Sequence, residues 1–296
     1  MTLTSTPIRA EHTLAGAIEL SARIEDLLVA RNPRGMQTVQ ASMLKGYVLR
    51  AAMMMQQCDG TVLIGTGFPV AGTFETDGPV GAISLYRGLE ALGAKPVLVC
   101  GDPLASAIEA DYRVEKLPVG PASQEERCAK AAEVLEKHQP QLVISIERPG
   151  QAADHGYYNM RGESISAGAA SFDEIMQMAG CPTVAVGDGG NEIGMGNVGP
   201  ALRSLDITPA LTRCGELVVA DVSNWGGHGL IAMLGWLVGK DLLADFDNLA
   251  VLQYCSEHGS VDGVTRENTL TEDSLPAEDG IEMLKQLRQL TGFINA

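Results

Sequence analysis

The sequence predicts an α/β fold: a doubly wound, mostly parallel sheet with helices on both faces, the Rossmann-like three-layer arrangement. Three observations carry that prediction. Short apolar runs rich in Val, Leu and Ile alternate along the chain with segments of helical length and spacing. At least four of those runs end in acidic or glycine-rich turns. Aromatic residues make up only 4% of the chain against a hydrophobic content of 45%, so the core is expected to be built from Ala, Val, Leu, Ile and Met.

The elements follow in order. Residues 1–14 are expected to be a flexible tail in a single domain spanning 1–296. Leu14, Ala17, Ile18, Ile24, Leu27 and Leu28 recur at helical spacing over 13–30, and Asn32-Pro33-Arg34-Gly35 breaks that helix. A second helix is expected over about 41–57, with Met53-Met54-Met55 as adaptable core packing. Thr61 to Ile64 reads as the first strand, followed by a loop to Asp77-Gly78-Pro79. Pro79 opens a helix that Gly93 ends. Pro96 to Cys100 is the second strand, and Cys100 reads as a small buried hydrophobe. A helix near 103–109 and a short strand over Arg113 to Leu117 come next. Ser123 with Glu126 three residues later predicts a capped helix to His138. Leu142 to Ile146, Thr183 to Gly187 and Glu216 to Val222 are further strands, with a helix at about 172–179 between the first two. A glycine-rich helix is expected over 228–239, polar loop over 256–280 and a terminal helix over 281–290.

Charge narrows the partners. The formal net charge of −16 argues against nucleic acid or an anionic membrane. Any anionic ligand must therefore be met locally by a cation or by arginine. The apolar stretch from Leu230 to Gly239 is too short to span a bilayer. Met1 to Ala10 lacks the apolar core of a secretory signal, and the six cysteines are scattered without a Cys-x-x-Cys pair. Those features predict a cytoplasmic protein with reduced thiols.

Open parallel sheets bind ligands beyond the carboxyl ends of their strands. Here those ends carry Thr66, Asp102, Glu147, Asp188 and Asn224. The densest stretch is Thr183 to Gly196, where a buried strand runs into Gly187-Asp188-Gly189-Gly190-Asn191-Glu192-Ile193-Gly194-Met195-Gly196. So many glycines forfeit backbone entropy unless the chain must bend sharply or admit something close. Asp188, Asn191 and Glu192 supply oxygens to such a site; the plainer reading makes Asp188 or Asn191 a helix cap. Asp77, Glu147, Asp188 and Glu192 are the carboxylates expected to converge, and like charges in one cleft need a cation or a shared proton. With no histidine or cysteine cluster, Mg²⁺, Mn²⁺ or Ca²⁺ is favoured over zinc, and Mg²⁺ or Mn²⁺ is the expected cofactor. Arg148 and Arg161 offer planar forks for a carboxylate or phosphate. Thr66, Tyr158, Asn159, Asn224, Gly189 and Gly190 are expected around the substrate. Asp102 before Pro103 reads as a turn residue, and His228 as structural.

No nucleotide cofactor is expected. Gly194-x-Gly196-x-x-Gly199 matches the dinucleotide fingerprint only formally, because it does not directly follow a strand. The phosphate-loop, paired-histidine zinc and Gly-x-Ser-x-Gly patterns are absent from the sequence.

Thr66-Gly67-Phe68-Pro69, Glu75-Thr76-Asp77-Gly78-Pro79, Ile146-Glu147-Arg148, Tyr157-Tyr158-Asn159, the ten-residue motif 187–196 and Val222-Ser223-Asn224-Trp225-Gly226-Gly227 occur in this order. Together they resemble the carboxy-terminal domain of D-glutamate cyclase, the DUF4392 domain, over roughly residues 15–290. The resemblance implies a lyase that dehydrates D-glutamate to 5-oxo-D-proline. Two-part members of that family carry an additional amino-terminal domain for which this chain has no room, so a homo-oligomer or a separate chain supplying that part is expected. Catalysis is assigned to Asp188, Glu192, Asn191 and Glu147, the metal to Asp188, Glu192, Glu147 and Asp77. A metal-dependent phosphohydrolase acting on a small phosphorylated metabolite fits the same residues, and a non-catalytic ligand-binding subunit is the third reading.

Overall fold

The computed structural model describes residues 13–295. Residues 1–12 of the expected tail lie outside that range, whereas Thr13 caps a helix that Leu14 begins. Helix α1 (Leu14–Leu28) starts where the Thr13 hydroxyl accepts the Gly16 amide at 3.1 Å. Helix α2 (Met36–Ala41) was not expected, and α3 (Tyr47–Gln56) begins later than the helix expected over 41–57. The later start has a cause in α1. Buried Glu25 accepts the amides of Gly46 and Val48, each at 3.1 Å, and so caps α3 from outside it.

Strand β1 (Thr61–Gly65) leads through the hairpin β2 (Pro69–Val70) and β3 (Thr73–Phe74) into α4 (Pro79–Glu90). Then come β4 (Lys95–Cys100), α5 (Leu104–Ile108), β5 (Val114–Lys116) and α6 (Gln124–His138). The capping box of Ser123 and Glu126 is present as the spacing predicts. Strand β6 (Leu142–Ile146), α7 (Asp173–Met178) and β7 (Thr183–Gly187) follow, and a 3₁₀ turn at Met195–Val198 joins a short α8 (Gly199–Leu202). The last sheet strand is β8 (Glu216–Val219), before α9 (Ser223–Val238) and α10 (Asn248–Glu257). A second hairpin, β9 (Thr271–Glu272) and β10 (Leu275–Pro276), opens into α11 (Ala277–Leu290).

Several boundaries differ from expectation. Helix α9 begins at Ser223 rather than 228, because a side chain from elsewhere caps its first turn. The stretch 256–280 is not simply loop: it holds the end of α10, the β9–β10 hairpin and the start of α11. Helix α10 escaped the periodicity because its buried face mixes Asn248 and Cys255 with Val251 and Leu252.

Six strands form one parallel sheet in the order β5-β4-β1-β6-β7-β8. The chain moves outward from β1 to β5, returns to the other side of β1 at β6, and moves outward again. Right-handed crossovers in opposite directions put α4 and α7 on opposite faces. Strands β6 and β7 are buried at every position, as the middle of such a sheet requires. The order reverses between β1 and β6, and a crevice opens there at the strands' carboxyl ends.

Helices α4 and α9 meet beside that crevice with almost no side-chain volume between them. A Cβ on Gly81 would sit 2.8 Å from the Asn224 Cα, and one on Gly227 would sit 3.2 Å from the Gly81 Cα. Glycine at both positions lets the backbones touch, which brings both helix N-termini to the end of β6.

Candidate active site

The two N-termini cap each other. The Asn224 Oδ1, on the first turn of α9, accepts the Gly78 and Gly81 amides of α4 at 2.8 and 2.7 Å. Asp77, just before α4, accepts in return from the amides of Ser223 and Asn224 at 2.9 and 2.7 Å. Each helix start thus supplies the oxygen that the other needs. Both positive dipole ends face the same spot, which favours negative charge there.

Negative charge is what gathers there. One oxygen each from Asp77, Glu147 and Asp188 lies within 4.8 Å of the others, and all three residues are buried. Glu147 directly follows β6 and Asp188 directly follows β7. Glu147 adopts φ +43, in the left-handed region that non-glycine residues avoid, and the turn carries its carboxyl under α9. There its Oε2 accepts the Ser223 hydroxyl at 2.5 Å. Gly78, at φ +94, has room for no side chain: a Cβ would lie 2.7 Å from the Glu147 Cβ and 3.0 Å from the Thr66 hydroxyl.

Burial is the largest influence on these acids. It pushes the Asp77 carboxyl up to about 8, aided by Asp273 and opposed by the Asn224 amide and Arg34. Glu147 is driven well above the carboxylate range by burial, then by Glu192, Asp77, Glu75 and Asp273. Burial raises Asp188 as well, although Arg34 pulls it back. Three such groups hold protons near neutrality unless a cation joins them.

The fourth expected ligand is used differently. Both Glu192 oxygens face back onto the loop, accepting the Gly189 and Gly190 amides at 2.8 Å each. Glu192 therefore fixes the glycine turn, and the Gly189 and Gly190 amides are already engaged. The Asn191 side chain donates to the Tyr158 carbonyl at 2.9 Å, tying the turn to the segment after β6.

A cleft of about 140 Å³ opens beside these groups, lined among others by Glu147, Gly189, Asn191, Glu192, Asn159 and Arg161. It is smaller than the roughly 300–1,000 Å³ common for drug-sized ligands, and so suits a small metabolite. Arg148 is placed elsewhere. Its guanidinium is buried, donates to the carbonyls of Thr66 (2.7 Å) and Ala170, and lies 5.6 Å from the Phe172 ring. The Tyr158 phenol turns outward to Asp154 at 2.5 Å, and buried Asn224 serves the helix caps. Asp102 is a turn residue that accepts the Ser106 amide at 3.0 Å. His228 is buried against Asn248 at 3.1 Å, and burial depresses it to about 4.

Four cleft residues were not among the expected site residues, although Glu75 stands in the Glu75-Thr76-Asp77-Gly78-Pro79 motif. Arg34 donates to Asp188 and Asp273 and, at 3.2 Å, to the Asp221 carbonyl. The two aspartates hold its charge against the cost of burial. Glu75 and Asp273 add carboxyl groups to the wall, and Arg266 adds a second guanidinium near Arg161. Beforehand only the helix-breaking context of Arg34 and the motif of Glu75 were visible; the punctuation around Asp273 and Arg266 gave no sign of a shared cleft.

A family model described as D-glutamate cyclase-like, C-terminal, matches residues 24–288. The chain belongs to that family. It is 31% identical over 251 residues to the human protein named D-glutamate cyclase, mitochondrial, an alignment covering 75% of this chain and 40% of the human protein. This chain thus spans less than half the length of that family relative. Among solved structures, an exopolyphosphatase-related protein from Bacteroides fragilis is 10% identical, covering 85% of this chain and 61% of that one, with a TM-score of 0.39. A mycobacterial protein complexed with NADPH is 12% identical over 86% of this chain and 62% of its own, with a TM-score of 0.28. Likenesses that low carry no argument about the family member described here. None of its described helices is long and apolar enough to cross a membrane.

Proposed function

We propose that this chain is a lyase that closes D-glutamate into 5-oxo-D-proline with loss of water, using a divalent cation, Mg²⁺ or Mn²⁺, held by Asp77, Glu147 and Asp188. The observation that carries the proposal is the convergence of three buried carboxylates at the switch point of the sheet, in a chain of the D-glutamate cyclase-like family. The donors fit such an ion, being hard oxygens without histidine or cysteine. Bound there, the ion supplies the charge neutralisation that a carboxylate needs before a nucleophile will attack it.

This chain's own residues account for the remainder. The substrate nitrogen attacks its own terminal carboxyl carbon, a C–N bond forms, and one C–O bond breaks. The departing oxygen leaves as water with two protons from the ammonium group. Glu75 is buried, lines the cleft, and no donor among the described residues reaches its carboxyl group, while burial and then Asp273 and Asp77 raise its proton affinity; in its ionised form it is the base we assign to that nitrogen. The Thr66 hydroxyl is buried without a partner near Glu147, and it is the donor we assign to the oxygen of the tetrahedral intermediate. Glu192 and Asn191 act through the glycine turn, holding the cleft wall in shape.

The test is the purified chain with D-glutamate and Mn²⁺ or Mg²⁺, following 5-oxoproline. Turnover is expected, with Asp188→Asn and Glu147→Gln each lowering it about a hundredfold or more. Phosphate release from phosphomonoesters without ring closure would move the assignment to a metal-dependent phosphohydrolase. Inactivity in both assays, even with a chain supplying the relatives' remaining portion, would leave a ligand-binding subunit.

A further inference from the structure

We infer that Arg161 and Arg266 together form the subsite for a second carboxylate of the substrate, at the mouth of the cleft. Nothing in the sequence marked Arg266, and the inference rests on the small-metabolite reading of this cleft given above.

The two arginines come from segments far apart in the chain that are laced to each other. Arg161 Nη2 donates to the Val264 carbonyl at 2.8 Å, and Arg266 Nη2 donates to Glu163 at 2.5 Å. Each guanidinium is therefore held by the other's segment, and both line the cleft. Among the described residues no salt bridge joins Arg161 to a carboxylate; its guanidinium donates to a neutral carbonyl, and Glu163 feels its charge only as a minor influence behind Asn159 and Arg266. Arg266 adopts φ +62, a conformation unusual for a side-chain-bearing residue. Its head stays accessible, with its side chain 41% exposed.

The chemistry of the walls is then two-ended. The inner end presents Glu147, Glu75 and Asp273 with the Arg34 guanidinium between acids, and suits a cation or an ammonium group. The outer end presents two guanidinium forks, which match the planar geometry of a carboxylate. Two guanidinium groups share the single carboxylate of Glu163 there, so in a chain of net charge −16 this end is where an anionic group finds compensation. A small amino acid with two carboxylates fits that polarity, its reacting end inward and its α-carboxylate at the arginines. A ligand with the same inner end but no α-carboxylate lacks the group that the arginines would hold.

Calorimetry with Mn²⁺ present, using D-glutamate, glutarate and 4-aminobutanoate as probes, tests the subsite. Arg161→Met and Arg266→Met are each expected to weaken D-glutamate by about ten- to a hundredfold with the melting temperature kept. The weak binding of 4-aminobutanoate, which lacks the α-carboxylate, is expected to be unmoved by either change. Glu163→Gln breaks the tie to Arg266 but keeps both arginines, and should retain D-glutamate affinity or raise it. Unchanged D-glutamate affinity in both Met variants overturns the subsite. So does an equal loss for 4-aminobutanoate, or a Glu163→Gln loss as large as that of Arg266→Met, since either marks a structural role. If glutarate binds through the arginines while D-glutamate does not bind, the subsite stands and the D-glutamate reading fails. If no carboxylate probe binds the parent, the subsite fails, and Mn²⁺ affinity at Asp77, Glu147 and Asp188 is judged separately.

Discussion

Arg34 shows at the scale of one residue how this site balances its charges. Its guanidinium joins Asp188 and Asp273, while burial and their neighbours raise Asp188, Asp77 and Glu147. Taking away one partner of a buried pair leaves an uncompensated charge, at a cost of about 3–5 kcal/mol when the pair is fully buried. The Arg34 side chain is one-fifth exposed, so solvent screens part of this. Arg34→Met is expected to lower unfolding stability by about 2–3 kcal/mol in urea titrations with chelator present. Added Mn²⁺ should restore more stability to this variant than to the parent, because the ion then replaces the lost positive charge. A variant as stable as the parent in chelator would mean that Arg34 is no counter-charge. Neighbouring positions also explain why Arg148 misled the sequence reading. Strand β6 ends at Ile146, and the left-handed turn at Glu147 (φ +43) sends its carboxyl to the Ser223 hydroxyl while the Arg148 guanidinium is buried on the Thr66 and Ala170 carbonyls.

At the scale of elements, the contact between α4 and α9 holds the site's framework. Gly81→Ala places a methyl 2.8 Å from the Asn224 Cα and 2.6 Å from the Ile146 Cδ1. The obstruction is partly backbone, so the helices must part. Overpacking of this kind typically costs about 1–3 kcal/mol. The expected result is a destabilised but folded protein whose Mn²⁺ affinity also falls, because Asp77 and Asn224 lose register. Wild-type metal affinity at reduced stability would separate the helix contact from the site. Much at this scale was legible in the sequence. Apolar runs ending in Thr66, Glu147 and Asp188 identify strands and their carboxyl ends, and Ser123 with Glu126 identifies a cap. The reciprocal caps were not legible, since Asp77 and the Ser223–Asn224 amides they join lie 146 and 147 residues apart. Arg34, Glu75, Asp273 and Arg266 reach the cleft only through tertiary structure, and no local spacing announces that. Glu192 is a milder case: it reads as a ligand, but its two nearest donors are amides two and three residues earlier.

For the whole molecule, the buried acids set a pH dependence whose sign can be worked out. A carboxyl raised in the folded state binds more protons folded than unfolded, so its contribution is full below the usual carboxylate range and is lost as pH rises to the folded value. That value is about 8 for Asp77 and about 7 for Glu272. His228 acts oppositely: depressed to about 4, it costs stability as pH falls below its usual 6.5. The window from pH 6.5 to 8.5 therefore isolates the carboxyl groups. Calorimetric melting temperature in chelator is expected to fall across it, and the fall should shrink with Mn²⁺ or Mg²⁺ present. A flat or rising profile in chelator would show that these groups do not hold protons in the folded state.

The central claim is that Asp77, Glu147 and Asp188 share one divalent cation. Titrating Mn²⁺ into the parent chain and into Glu147→Gln, at a pH near 8 and with circular dichroism confirming the fold, tests it most directly. The account predicts one site per chain in the parent and a loss of at least about tenfold in affinity when one carboxylate ligand becomes an amide. Equal affinity and stoichiometry in the two proteins would contradict it.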